Sequence, residues 1–368
     1  MKIFVIGTRG IPGIQGGIEK HCEELYPRLA DQGHDITVIT RRHYVRDFGN
    51  TMFRGVKLMH VASPVSKYFE AIIHTFIGIW IAKYHGAEIL HIHGIGPSIF
   101  APLAKLLGMN VVMTHQGEDY RREKWGPFAR LVLRLGEAVG VRFADAVIAV
   151  SHHIAFGLSI KISAQRLFQI PNGVSVQPRT TDTSYLQKLG LLKNGYILCV
   201  GRLVKEKGMH DVIQAYSLLK DIRCALVIAG SADHETSYSR ALKRLAEKNK
   251  VVMAGTVTGE NMRQLYSHAK LFIQASYHEG LPISLLEAMS YHLDILVSDI
   301  PAHLEVGLSK ENYFHIKDVQ ELAKCMTLKL SKNATVDYSS LLGERFNWDM
   351  IAKQTAAVYL AVKGESLQ

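Results

Sequence analysis

Two carboxylates eight positions apart, Glu279 and Glu287 in HEGLPISLLE, carry the first chemical signal in the sequence. Gly280, Leu281 and Pro282 follow the first of them, and proline is favoured at the opening position of a helix, where its missing N–H has no partner to lose. The pattern predicts Glu279 in the loop before a helix and Glu287 on its second turn. Such a helix N-terminus, through Ile283, offers unpaired N–H groups and a positive dipole end to an anion. Two acids beside an anion site suit a ligand carrying both hydroxyls and phosphate, as a nucleotide-sugar does. Glutamates at helical spacing more often face solvent, so the pair needs support from elsewhere in the chain. GRLVKEKG supplies it, with Arg202 and Lys207 just after YILCVG, an apolar, β-branched run ending in glycine as a buried strand would. Arginine clamps phosphate oxygens with paired hydrogen bonds and lysine adds a point charge, which together answer a diphosphate. Lys205 reads as a solvated residue of the same loop.

Further candidates follow other strand-like runs. In TRGIPGIQGGIEK the spacing of Gly7, Gly10 and Gly13 is three and three, not G-x-G-x-x-G, which argues against an NAD-dependent dehydrogenase. Gly16 and Gly17, just before a helix, instead suggest backbone amides close to a phosphate. His93 and Gly94 follow EILHIH; His115, Glu118 and Asp119 follow NVVMTH; Gly230-Ser231 and Gly255-Thr256 end two later strands. His91 and His93 share a strand face and could meet one metal ion. With no third ligand nearby, no metal is expected and His93 is read as lining a ligand crevice. His115 has two readings, a core histidine with both nitrogens satisfied or a crevice residue, and its place beside Gly117 favours the crevice. Glu118 and Asp119 are candidates for holding an acceptor or assisting its deprotonation. His152 and His153, after Ser151, read as surface or interdomain packing.

The elements that must position these residues alternate along the chain. KIFVIG, DITVIT, VKLMHV, EILHIH, NVVMTH, DAVIAVS and LFQIPN are separated by helical stretches at 18–31, 67–84, 98–107 and 127–142. After Asn172-Gly173 the polar stretch 175–190 reads as an interdomain linker. A second series follows: YILCVG, CALVIAG, KVVMAG, LFIQAS, DILVSD and NYFHI. The fold expected is α/β, two doubly wound Rossmann-like domains facing across a cleft, 1–178 and 185–345. FNWDMIAKQTAAVYLAVK, capped by Asn347, is expected to be a helix of residues 346–368. The last helix of related folds crosses back to the first domain, and the same is expected here, with a hinge near 173–190 and around this crossover. Such sheets bind ligands beyond the carboxyl ends of their strands, and the candidates above all fall there. Pro27, inside the first helix, is expected to kink or shorten it.

At 368 residues two domains are the default, and 48% hydrophobic with 21% charged residues describes an ordinary globular chain. The four cysteines, Cys22, Cys199, Cys224 and Cys325, form no C-x-x-C pair and read as thiols in a reducing cytoplasm. MKIFVIGTRG reads as a first strand rather than a signal peptide. The longest apolar stretch, residues 68–82, contains Glu70 and His74 and is shorter than the ~20 residues that span a bilayer, so a buried or interfacial helix is expected. The net charge of +10 is uneven: residues 1–180 hold 21 Lys+Arg against 13 Asp+Glu. Such a half implies an anionic partner, and scattered bases without a nucleic-acid motif exclude nucleic acid. The cluster 121–125 and the helix after it, with Arg130 and Arg134 four apart, have the composition of a segment resting on an anionic membrane surface, or of a core-facing helix with a basic outer face.

With the glycine pair, His115, IPNGV, GRLVKEKG and the E-x7-E stretch assembled, the sequence resembles family 4 of the retaining glycosyltransferases, which have the GT-B fold. The likeness covers nearly the whole chain. TRGIPGIQGGIEKHCEEL is also similar to members that build bacterial surface polysaccharides, including rhamnosyltransferases. The resemblance implies that Arg202 and Lys207 neutralise the donor diphosphate and that Glu287 accepts hydrogen bonds from the ribose. It implies that Glu279 contacts the sugar hydroxyls, assisted by the amides of Gly280, Leu281 and Ile283 around Pro282. Gly16 and Gly17 would close over the phosphate, His115 would lie by the transferred sugar, and Gly255 and Thr256 would line the base. It further implies a metal-independent, retaining hexosyltransferase-type reaction and no cofactor. The donor would be a nucleotide-diphosphate-sugar, with UDP, GDP and dTDP all open. The acceptor would be a saccharide, polyprenyl-diphosphate-linked, at the cytoplasmic face of the cell membrane. A nucleotide-sugar epimerase, a phosphorylase or a non-catalytic nucleotide-sugar-binding protein would share the fold.

Overall fold

The computed structural model describes residues 1–45, 49–66, 69–121, 125–220, 223–332 and 336–364. It divides the chain into two compact units, Met1–Gly173 with Phe346–Gln368, and Val174–Arg345.

The first unit runs β1 (Lys2–Ile6), α1 (Gly17–Asp31), β2 (Asp35–Arg41), β3 (Met52–Phe53), β4 (Val56–Val61), α2 (Phe69–Tyr84) and β5 (Ile89–His93). It continues with α3 (Ala101–Leu106), β6 (Asn110–His115), α4 (Pro127–Phe143), β7 (Ala146–Ala149), α5 (His152–Ser159) and β8 (Leu167–Gln169). The sheet order is β3-β4-β2-β1-β5-β6-β7-β8, parallel throughout except for β3 against β4. Both faces are covered, so its strands are apolar on both sides. Ile3, Val5, Ile36, Val38 and Val112 face α1, while Ile6 and Ile39 meet α2 at Gly78 and Met113 meets α4 at Gly140.

The second unit holds α6 (Ser184–Lys188), β9 (Tyr196–Val200), α7 (Met209–Ser217), β10 (Ala225–Ala229), α8 (Ser237–Lys248), β11 (Val252–Gly255), α9 (Gly259–His268) and β12 (Leu271–Gln274). Then come α10 (Ile283–Ser290), β13 (Asp294–Ser298), α11 (Pro301–Leu304), β14 (Tyr313–Phe314), α12 (Val319–Leu330) and α13 (Ser339–Arg345). Its sheet, β11-β10-β9-β12-β13-β14, is wholly parallel. The last helix, α14 (Trp348–Lys363), belongs to the first unit. Asn347 caps it by accepting from the amides of Asp349 and Met350, and Trp348, Ile351 and Tyr359 are buried in the same core as Leu25 and Tyr26 of α1.

Three local expectations need correcting. The helix α1 runs unbroken through Pro27, whose ring is buried. Residues 175–190 are not a free linker: Arg179 Nε donates to the Ser267 carbonyl (3.0 Å), Tyr185 N donates to Gln264 (2.8 Å), and α6 buries Leu186. The strand expected over LFQIPN ends at Gln169. Of the basic cluster at 121–125, residues 122–124 lie outside the described residues, as do residues 67 and 68 of the expected second helix.

Strand order fixes where ligands can enter. In each sheet the winding direction reverses once, between β1 and β5 in the first unit and between β9 and β12 in the second. Loops leaving the carboxyl ends of two such neighbours diverge to opposite faces and leave a crevice.

Candidate functional site

At the β9/β12 switch point the sequence brings two predicted residues into contact. Lys207, in the turn after β9, lies with its Nζ 2.5 Å from Glu279 Oε1, in the loop after β12. Gly208 makes this approach possible. It takes φ +62° at the start of α7, and a Cβ there would collide with the Ala275 carbonyl. A backbone amide from the same region, Tyr277 N, donates to the Glu206 carbonyl at 2.8 Å and closes the two loops together.

Glu279 Oε1 also accepts from Gln274 Nε2 (2.8 Å) and Ser276 Oγ (2.6 Å). No hydrogen bond from the described residues reaches Oε2, which leaves one carboxylate oxygen for a ligand. Burial pushes this carboxyl up, but the Lys207 ammonium and the Ser276 hydroxyl outweigh it and hold the group at about 2. The acid is therefore an anion at neutral pH. Gln274 and Ser276 were missed by sequence reasoning, although alternate polar positions at a strand's end share one face.

His303, in α11, was missed as well, and a lone histidine after SDIPA gave no signal. Its Nδ1 is 2.8 Å from the Ser298 carbonyl, so that nitrogen carries the proton, and its buried Nε2 has no hydrogen-bond partner among the described residues. Burial, opposed by Glu279, lowers it to about 4, so the ring is neutral. Ser298 Oγ in turn donates to the Ser276 carbonyl (2.6 Å), which backs the residue that holds Glu279.

The other predicted residues of this unit are placed as follows. Arg202 Nη1 is 3.0 Å from Asp233 Oδ2, a partner not foreseen. Lys205 is exposed, as read. The helix α10 begins at Ile283 with Pro282 as its N-cap, one position earlier than proline was expected to sit. Leu281, Pro282 and Ile283 are buried and Gly280 is half-buried. Glu287 lies on the second turn and accepts from the Tyr266 hydroxyl at 3.0 Å. Gly255 closes β11 with φ +68°, and Thr256 Oγ1 donates to Ser231 Oγ at 2.7 Å, lacing the ends of β10 and β11.

In the first unit, Gly16 caps α1 and Gly17 opens it. A Cβ on Gly16 would strike both Glu19 and Arg9, whereas one on Gly17 would meet nothing within 4 Å. Arg9 binds Glu19 of α1, with its Nε 3.1 Å from Oε1, its guanidinium donates to the Gln15 carbonyl, and it lies over the Tyr44 ring at 5.3 Å. His115 ends β6 with its ring buried. Its Nε2 is 3.8 Å from Glu137 Oε2 on α4, its Nδ1 has no partner among the described residues, and Lys161 reaches the other Glu137 oxygen at 2.6 Å. Burial raises the Glu137 carboxyl, but His115 and Lys161 overcome this and hold it at about 2. Glu118 accepts from the Tyr120 hydroxyl (2.6 Å) and pairs with Arg121 (2.7 Å), and Asp119 opens the turn that follows. His152 and His153 are exposed at the start of α5, where Ser151 caps the helix.

The crevice-lining reading of His93 is wrong. Both β5 histidines are fully buried on the face covered by α1 and α14. Their rings stack at 4.5 Å, and the Tyr26 hydroxyl lies 3.0 Å from His91 Nδ1 and 2.5 Å from His93 Nε2. His91 also meets Tyr359 (2.6 Å) and Thr114 (2.7 Å). Burial lowers His91 to about 3 and His21, bonded to Asn172, to about 4, so the cluster is neutral packing that ties α14 to the sheet.

Comparison with known proteins follows the same division. Residues 15–177 match the family model described as Glycosyltransferase Family 4, and residues 182–338 match Glycosyl transferases group 1. An uncharacterized glycosyltransferase of Methanocaldococcus jannaschii is 26% identical over 98% of both chains. A GDP-mannose:cellobiosyl-diphosphopolyprenol alpha-mannosyltransferase of Xanthomonas oryzae is 26% identical over 69% of this chain and 67% of its own. In fold, the chain superposes on Anabaena Alr3699/HepE in complex with UDP-glucose with a TM-score of 0.78 at 19% identity, covering 98% and 100% of the two chains.

Proposed function

The chain belongs to glycosyltransferase family 4 and has the GT-B fold, and from that premise we propose that it transfers one sugar, with retention of configuration and without a metal, to a polyprenyl-diphosphate-linked saccharide. The Lys207–Glu279 pair across the β9/β12 switch point carries this reading. Lys207 and Arg202 meet the diphosphate of the donor and the charge that grows on it as the sugar departs. The amides at the start of α10, from Gly280 through Ile283, add a fixed positive potential at the same place. Glu279 holds the sugar hydroxyls through its open oxygen, and Glu287 accepts from the ribose. Gly255 and Thr256 line the base, Gly16 and Gly17 approach the phosphate, and His115 lies by the transferred sugar.

The acceptor hydroxyl attacks from the face the diphosphate leaves, through an oxocarbenium-like centre, and the departing phosphate oxygen takes its proton. This route needs no enzymic nucleophile on the opposite face. The cellobiosyl-diphosphopolyprenol acceptor named for the Xanthomonas relative supports a lipid-linked acceptor here. Among the described residues no helix is long and apolar enough to cross a membrane, and the basic first half of the chain supports peripheral contact with an anionic membrane, at its cytoplasmic face.

Incubation with UDP-, GDP- and dTDP-sugars and a polyprenyl-diphosphate saccharide, with NMR of the product, tests the reading. Transfer with the donor's anomeric configuration kept, undiminished by a chelator, is expected. An inverted product or loss of turnover with the chelator would refute the mechanism. Donor hydrolysis or epimerisation without transfer would refute the activity.

A further inference from the structure

The helix α2 is turned inside out. Its buried residues are Glu70, His74, Thr75, Gly78, Ile79 and Ala82, three of them polar. Glu70 is paired there with Arg41 (2.8 Å) and His43 (3.2 Å). Its outward residues are Phe69 (61% exposed), Ile72, Ile73, Phe76 (45%), Trp80 (47%) and Tyr84 (87%). A surface helix normally has the opposite polarity, and a row of aromatic rings left in water marks an interaction surface. The row continues sideways. Phe76 packs against Phe100 at 6.1 Å, in the turn Pro97–Phe100 that lies against α4, and α4 exposes Phe128, Leu131 and Leu135.

Charge on this layer is one-sided. The acids of α2, α3 and α4 are Glu70 and Glu137, and both are buried. The bases are Lys83, Lys105, Arg130, Arg134 and Arg142, of which Lys83, Arg134 and Arg142 are exposed. The helix on the opposite face of the same sheet, α1, carries Glu19, Glu23, Glu24 and Asp31 against Lys20 and Arg28, so the asymmetry belongs to this face rather than to the whole unit. Aromatic rings ringed by cations suit one partner, the interface of an anionic lipid bilayer. A second copy of the chain suits it poorly, because a two-fold contact would set the same cations against each other.

We propose that the outward face of α2, extended by α4, seats on an anionic lipid surface, with Phe69, Phe76 and Trp80 entering the headgroup–acyl boundary. This deepens the membrane contact proposed above, and rests on that reading for its purpose, by naming the surface and making α2 its inserting element. Flotation of the full chain on phosphatidylcholine vesicles, with and without about one-third phosphatidylglycerol, tests it. The chain should float with the anionic vesicles only, less so at high salt, and Phe76→Ser/Trp80→Ser should lower the bound fraction by about tenfold or more. Phe156→Ser, on α5 and more exposed than either, should leave it unchanged. Should the double variant fail to fold, quenching of tryptophan fluorescence by brominated lipid is the second readout, strong in the wild type and lost in Trp80→Phe. No flotation of the wild type, or equal flotation of a folded Phe76→Ser/Trp80→Ser, overturns the proposal. So does light scattering that shows a dimer abolished by those substitutions. Nucleotide-sugar titration of the same samples reads the donor site separately, so intact donor binding without flotation sinks only the lipid surface.

Discussion

At the β1/β5 switch point Gly7 (φ +96°) lets the His93 carbonyl come where a Cβ would stand, and at the β9/β12 switch point Gly208 does the same for Ala275. The backbones are built alike, but the side chains gathered there are not. In the first unit Arg9 is tied to Glu19 of α1 and to Gln15 of its own loop, and the same unit buries a neutral cluster of His21, His91, His93 and Tyr26. In the second, Lys207 reaches over the switch point to an ionised Glu279 that keeps one oxygen open. A shared fold thus provides two crevices with a buried ion pair at each, and they differ in that both oxygens of Glu19 are taken by Arg9 whereas Glu279 keeps one open for a ligand. Charge stays buried at Glu279 because three donors converge on it. At His91 and His93 it is avoided, since desolvation outweighs what neutral partners return.

The sharpest way to break the comparison is to remove the charge. Lys207→Ala should lower kcat/KM by about 10²–10³, the loss typical of one electrostatic donor at a transition state, while Arg9→Ala should change it far less. Steady-state kinetics on both variants would show it, and equal losses would put the diphosphate in the wrong unit.

Acid should separate the units next. The Glu279 carboxyl is depressed from 4.5 to about 2, so its contribution, about 3 kcal/mol when complete, is present above 4.5 and lost as pH falls towards 2. The buried histidines are depressed from 6.5, so below 6.5 the unfolded chain takes up protons first and stability is lost progressively as pH falls towards their folded values of about 3 to 4. His21, His74, His91 and His93 all lie in the first unit, whereas the second buries His303 and, less strongly shifted, His268. Pulsed proteolysis of the full chain between pH 7 and pH 4 should therefore cut first-unit peptides earlier. Simultaneous loss would contradict the neutral-cluster account.

Gly208→Ala should weaken donor binding by about tenfold through the clash with Ala275, with a cost near 2 kcal/mol from the left-handed backbone and the displaced strand end. Calorimetry and a denaturant midpoint read the two parts. The smallest effect belongs to Tyr26→Phe, which removes one hydroxyl shared by His91 and His93 and should cost about 1 kcal/mol with donor affinity unchanged.

The strands and the major helices were legible because runs such as YILCVG and KIFVIG alternate with helical stretches, and that rhythm also predicted α14 and its Asn347 cap. Lys207 and Glu279 were legible because glycine, proline and the carboxyl ends of strands mark the loops that hold them. What failed was whatever tertiary pairing decides. His93 ends a strand as a crevice residue would, yet pleat parity turns it under α1, against Tyr26 and the ring of His91. Asp233, from a loop, and His303, from the short helix α11, carry no recurring pattern, and the hydrogen bonds of residues 175–190 to α9 leave no trace in local composition.

The central claim is that Lys207 grips the leaving diphosphate while Glu279 reads the attached sugar. Titration of UDP, GDP and dTDP, then of the matching nucleotide-sugars, into the wild type, Lys207→Ala and Glu279→Gln tests it most directly. One nucleotide should bind, Lys207→Ala should weaken both that diphosphate and its sugar conjugate by about tenfold or more, and Glu279→Gln should weaken only the conjugate. Binding by none of the three nucleotides, or unchanged binding in Lys207→Ala, would contradict it.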